Sequence, residues 1–65
     1  MKLSEKIRKH RKEIDLTQVD LGQIMGLPQN SISRWENEGR TPSFKNRQKL
    51  AIIFNKPLEY MKDDE

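Results

Sequence analysis

A chain of 65 residues has room for one domain, and at that size only about 60% of the unfolded surface is buried, leaving a small core and no space for a deep catalytic cleft. With no cysteine, disulfides, thiolate metal sites and cysteine nucleophiles are excluded, and a domain without such staples is expected to be helical and locally ordered. Thirteen Lys and Arg against ten Asp and Glu give a net charge of +3, and setting aside Asp63-Asp64-Glu65 raises the remainder to +6, a basicity that permits a phosphate-rich partner without requiring one.

The longest apolar run, Leu50 to Phe54, is far below the roughly 20 residues that cross a bilayer, and the amino end lacks a signal-type apolar stretch. A cytoplasmic protein with no membrane partner is expected. There are no repeats or low-complexity tracts, so residues 1–65 read as a single domain.

The punctuation predicts five helices. Leu3, Ile7 and Ile14, with Arg11 between them, place an apolar stripe on a first helix over about residues 3–13, whose other faces carry Lys2, Lys6, Arg8, Lys9 and Lys12. Thr17 followed by Asp20 fits a capping box, so a second helix starts at Gln18 and carries Leu21, Ile24 and Met25 before Gly26 ends it in the left-handed conformation. A third opens near Pro28 or Gln29, where proline's fixed φ is suitable, and runs to about Glu36. Asn37 to Pro42 reads as a loop. Ser43 then caps a fourth helix directing Phe44, Leu50, Ala51 and Phe54 inward, and Asn55 takes its left-handed end. Pro57, Leu58, Tyr60 and Met61 suggest a short fifth helix over the core.

Two short helices joined through one glycine, the second rich in amide and guanidinium groups, form a geometry in which one helix lies in the major groove while the other braces it. The stretch 18–37, QVDLGQIMGLPQNSISRWEN, resembles the helix-turn-helix of the phage repressor and Cro family. The match rests on a small residue where the helices touch (Gly22), a glycine in the turn (Gly26) and apolar residues at Leu21, Met25, Leu27, Ile32 and Trp35. The flanking helices resemble that family's domain over nearly the whole chain. The resemblance implies an all-α, compact five-helix lambda-repressor-like fold that binds double-stranded DNA.

Carried over residue by residue, the resemblance implies that Gln29, Asn30 and Arg34 present their heads to base edges, with Ser33 a less informative fourth. Gln and Asn match the adenine edge and Arg the guanine edge, each pair being worth about 1–3 kcal/mol of discrimination. Gln18 looks like the family's phosphate-fixing glutamine, and Asn37, Arg40 and the Ser43 helix start resemble its second phosphate clamp. Arg11 and Glu36 occupy positions where the family often holds an ion pair. Trp35 is expected in the core rather than as a stacking platform, and His10 is expected at the surface. Ile52 lies nearly opposite Phe44 and Phe54 on the wheel, where with Tyr60 or Met61 it would make either a dimer surface or a partly covered satellite of the core.

The sequence also departs from the family. Pro28 stands where Ser or Thr usually caps the reading helix, which predicts an early start or an altered entry angle. Glu38 replaces the loop glycine, placing an anion near the phosphate path, while Arg47 and Lys56 replace apolar residues and are expected to snorkel outward.

No carboxylate pair, metal-ligand cluster or phosphate-cradling loop is legible, so the chain is expected to be neither an enzyme nor a metal or cofactor binder. The reading is a prokaryotic or phage transcriptional regulator, a repressor, homodimeric at least on a palindromic operator. Regulation would come from its concentration and protein partners, or the chain would be the DNA-binding piece of something longer. Rival readings are an antitoxin repressing its own operon and a protein-interaction module that kept the fold without DNA binding.

Overall fold

The computed structural model describes residues 1–64. They form α1 (Leu3–Glu13), α2 (Gln18–Met25), α3 (Gln29–Asn37), α4 (Phe44–Phe54) and a 3-10 turn at Leu58–Tyr60, with no strand among the described residues. The all-helical class holds, but the expected fifth helix is only this turn. Left-handed Asn55 and extended Pro57 close it off on one side and Met61 leaves helical geometry on the other. Its main-chain bonds are short-range, from Tyr60 N to Pro57 O, from Met61 N to Leu58 O and from Lys62 N to Tyr60 O.

The helix ends follow from side-chain chemistry. Thr17 Oγ1 accepts from Asp20 N while Asp20 Oδ2 accepts from Thr17 N, both at 3.0 Å, completing the capping box of α2. Hydrogen bonds to the carboxyl from Thr17, the one from its amide foremost and one from its side chain, hold Asp20 below the usual range. Ser43 Oγ accepts from Asn46 N at 3.2 Å to start α4. Lys2 opens α1 but has no side-chain acceptor, so Leu3 N donates instead to Asp63 Oδ1, at 2.6 Å, from the far end of the chain.

One core is shared by all four helices and Met61, with Ile7, Leu21, Ile32 and Leu50 at its centre. α1 turns Leu3, Lys6, Ile7, His10 and Arg11 inward. This spacing corrects two expectations, since Lys6, placed on the basic outer face, is 1% exposed and His10, placed at the surface, is 6% exposed. Both lie at the three- and four-residue intervals of the apolar stripe, and both find partners there. Lys6 Nζ donates to Tyr60 O at 2.9 Å, Lys62 O at 2.7 Å and Asp64 Oδ1 at 3.1 Å, using all three ammonium hydrogens. His10 bonds Glu13 Oε1 through Nδ1 and the Tyr60 hydroxyl through Nε2, both at 2.7 Å.

Phe44 is a further correction, because it is 56% exposed instead of inward. Side chains on a helix lean toward its amino end, so a first-position ring points beyond the helix start rather than over the core. It lies against Arg47, whose guanidinium carbon is 5.8 Å from the ring centroid. Lys56 is exposed, as its snorkelling expectation requires, with its ammonium 5.4 Å from the Tyr60 ring.

Candidate nucleic-acid interface

α2 and α3 meet at Gly22, where the requirement is space. A Cβ built there would fall 2.6 Å from the main-chain oxygen of Leu27, well inside van der Waals contact. Gly22 O in turn accepts from Leu27 N at 2.8 Å, and Gly26 at φ +70° makes the turn between them. Pro28 precedes α3 in an extended conformation with no side-chain cap, and its carbonyl accepts from Ser31 N at 3.0 Å. Helix α3 begins at Gln29, so the proline does not start it early.

Ile32, Trp35 and Glu36 pin one side of α3 inside the protein. The other side carries Gln29, Asn30 and Arg34, all exposed, with half-buried Ser33 between them. Spacings of one, four and five residues place these four on one broad face of the helix. At its start, Gln29 Nε2 approaches Gln18 Oε1 at 3.4 Å. This turns the remaining amide groups of Gln29, an oxygen acceptor and one N–H, toward solvent.

Glu36 anchors α3. Arg11 Nε donates to its Oε2 at 2.7 Å and Arg11 Nη2 to its Oε1 at 2.9 Å, while Arg11 Nη1 holds Leu16 O at 2.7 Å. Gln18 Nε2 donates to Glu36 Oε1 at 3.2 Å, and Arg8 Nε lies 3.4 Å from the same oxygen. Burial alone would raise the Glu36 carboxyl, but bonds from Arg11, Gln18 and Arg8, together with the Arg11 charge, hold it below the usual carboxylate range. The bond to Glu36 likewise raises the Arg11 guanidinium against the effect of burial. A single carboxylate thus ties α1, α2 and α3 together.

The second group of phosphate candidates is more dispersed. Asn37 is exposed, its Oδ1 accepting from Arg8 Nη2 at 2.5 Å and its Nδ2 donating to Ser33 Oγ at 3.1 Å. Arg40 is exposed, with Nε 3.9 Å from Glu38 Oε1 and its main-chain N bonded to Arg34 O at 3.2 Å. Its cation therefore offsets the Glu38 anion. Ser43 is exposed but uses its hydroxyl to cap α4.

Of the residues expected on a dimer surface, Met61 is 0% exposed and belongs to the core, which removes it from that role. Half-buried Tyr60 is committed to His10 and to the Lys6 ammonium, 4.3 Å from its ring centroid. The 3-10 turn folds both side chains back onto α1 and α4. Ile52 is 80% exposed and instead borders a shallow groove with Ile24, Met25, Lys49 and Ile53.

Arg8, expected on the solvated face of α1, instead reaches Glu36 and Asn37 at the end of α3. Its signal was the i, i+3 spacing from Arg11, which places two guanidinium groups on the same side of α1. Among the described residues, no helix is long and apolar enough to cross a membrane and no group of three His, Cys, Asp or Glu could hold a metal ion.

In comparisons with known proteins, a family model described as Helix-turn-helix matches residues 7–61, a span running from Ile7 of α1 through Met61. No match was found among curated proteins.

Proposed function

Because the chain belongs to the helix-turn-helix family of the phage repressor and Cro type, a family of DNA-binding regulatory domains, we propose that it is a transcriptional repressor that reads duplex DNA with α3 in the major groove. The observation that carries this reading is the face of exposed Gln29, Asn30 and Arg34, with half-buried Ser33 among them, on a helix whose opposite side is locked by Ile32, Trp35 and Glu36. Amides and a guanidinium are the groups that discriminate adenine and guanine edges.

Gln18, Asn37 and Arg40 flank this face and contact phosphates, with the start of α4 at Ser43 alongside them. They set register without reading sequence. Two copies bind a palindromic operator, each on one half-site, about one helical turn apart. Pairing is supported by the exposed Ile24 and Ile52 side chains, which offer apolar surface to a second copy.

Selection of binding sites from random duplex DNA, followed by salt titration on the best sequence, tests the proposal. The expected result is a palindromic motif and a log–log salt slope of about −0.9 per neutralised phosphate. Arg34→Ala should relax preference at one base pair, whereas Gln18→Ala should weaken all sites alike. Absence of any enriched sequence at low salt would refute the reading.

A further inference from the structure

We propose that Arg8 is a positioning residue of the interface, fixing the Asn37 amide to the Glu36 anchor so that one of its N–H groups is left for a DNA phosphate. The inference rests on the reading of Asn37 as a phosphate contact. Arg8 reaches α3 from α1, across 29 residues of sequence, and its guanidinium spans two neighbouring residues there. Nη2 lies 2.5 Å from Asn37 Oδ1 and 3.4 Å from Glu36 O, while Nε lies 3.4 Å from Glu36 Oε1.

The chemistry of the donor assigns the orientation of the amide. A guanidinium has no acceptor, so the Asn37 atom facing it is the oxygen and the nitrogen points the other way. One Nδ2 hydrogen goes to Ser33 Oγ at 3.1 Å. The second has no partner among the described residues. A free asparagine at an exposed helix end would have to give up rotamer freedom on binding, and Arg8 imposes that restriction beforehand.

A planar fork is needed for this task. Lysine offers a single ammonium point and lacks the separate Nε and Nη2 donors that reach Glu36 Oε1 and Asn37 Oδ1. Arg11 already makes two short bonds to Glu36, so loss of Arg8 leaves α3 anchored and isolates the effect on Asn37.

The test measures affinity for the selected duplex while each phosphate in turn is replaced by an uncharged methylphosphonate. Wild type should lose about tenfold at the phosphate that meets Asn37, as expected for a hydrogen bond to a charged group. Asn37→Ala should abolish sensitivity at that phosphate. Arg8→Met and Arg8→Lys should weaken binding by a similar factor and lose sensitivity at the same phosphate, and adding Asn37→Ala to either should cost nothing more. If Arg8→Met retained that sensitivity, or if its loss and that of Asn37→Ala were additive, Arg8 would act on its own and the inference would fall. If Asn37→Ala kept the wild-type pattern, the reading of Asn37 itself would fail.

Discussion

The Leu3 amide donates to Asp63 Oδ1 at 2.6 Å, so the first helix is capped by a residue sixty positions away. The bond belongs to a clasp in which Asp64 N donates to Met1 O at 3.0 Å and Lys6 Nζ is surrounded by oxygens from Tyr60, Lys62 and Asp64. Lys6 in turn holds the Asp64 carboxyl below its ordinary range. Asp63→Ala should cost about 1 kcal/mol, the size of a lost N-cap, and lower the melting temperature by several degrees. Lys6→Met keeps the stem but deprives two carbonyls of a donor, and should destabilise more than Asp64→Asn, which leaves an acceptor in place. Thermal unfolding of the three variants by circular dichroism checks this order.

The Glu36 anchor makes stability depend on acid. A carboxyl held below its unfolded value contributes stability that is present above the unfolded pKa and is lost as pH falls through the folded one. Wild type should therefore lose stability from about pH 4 downward. Glu36→Gln should be less stable at neutral pH by about 3 kcal/mol, because it leaves Arg11 buried without its counter-charge, and the difference should narrow as pH falls. Urea unfolding across that range measures both quantities, and a constant difference would refute the assignment.

At Gly22, replacement by alanine forces the new methyl against a backbone oxygen that no side-chain rotation can move. Gly22→Ala should cost about 1–3 kcal/mol, as overpacking does, and should weaken DNA binding more than its effect on folding accounts for, since it changes the angle between α2 and α3. Comparing affinity at a temperature where the variant is fully folded separates the two effects.

If the exposed Ile52 side chain contributes to pairing on DNA, Ile52→Ser should leave binding to an isolated half-site unchanged. Cooperative occupation of the full palindrome should fall. Gel-shift titrations on one and two half-sites give the comparison, and an unchanged full-site isotherm would remove α4 from the interface between copies.

Local chemistry made the central elements legible. Thr17 with Asp20, the left-handed Gly26 and the Ser43 cap act within four residues of themselves, so their sequence context contains most of what determines them. The inward side of α3 was legible for the same reason, through Ile32 and Trp35. Lys6 and His10 were misplaced because their burial depends on oxygens supplied by Tyr60 and residues 62–64, more than fifty positions away for Lys6. Phe44 failed for a positional reason, since wheel angle describes a residue's azimuth but not that it stands at the open end of a helix. For Arg8 the i, i+3 spacing from Arg11 indicates only a shared side of α1, and its contact with Asn37 depends on a helix end 29 positions away.

The tight seam at Gly22 also bears on the duplex. A helix pressed against the link to its neighbour at Gly22 and tied to it by one carboxylate anchor behaves as a rigid bracket, with little freedom to follow an irregular groove. The compliance needed for a close fit must then come from the nucleic acid, which bends and twists at a cost that depends on its base steps. Some of the operator's information would consequently lie in base pairs that no side chain of this protein touches.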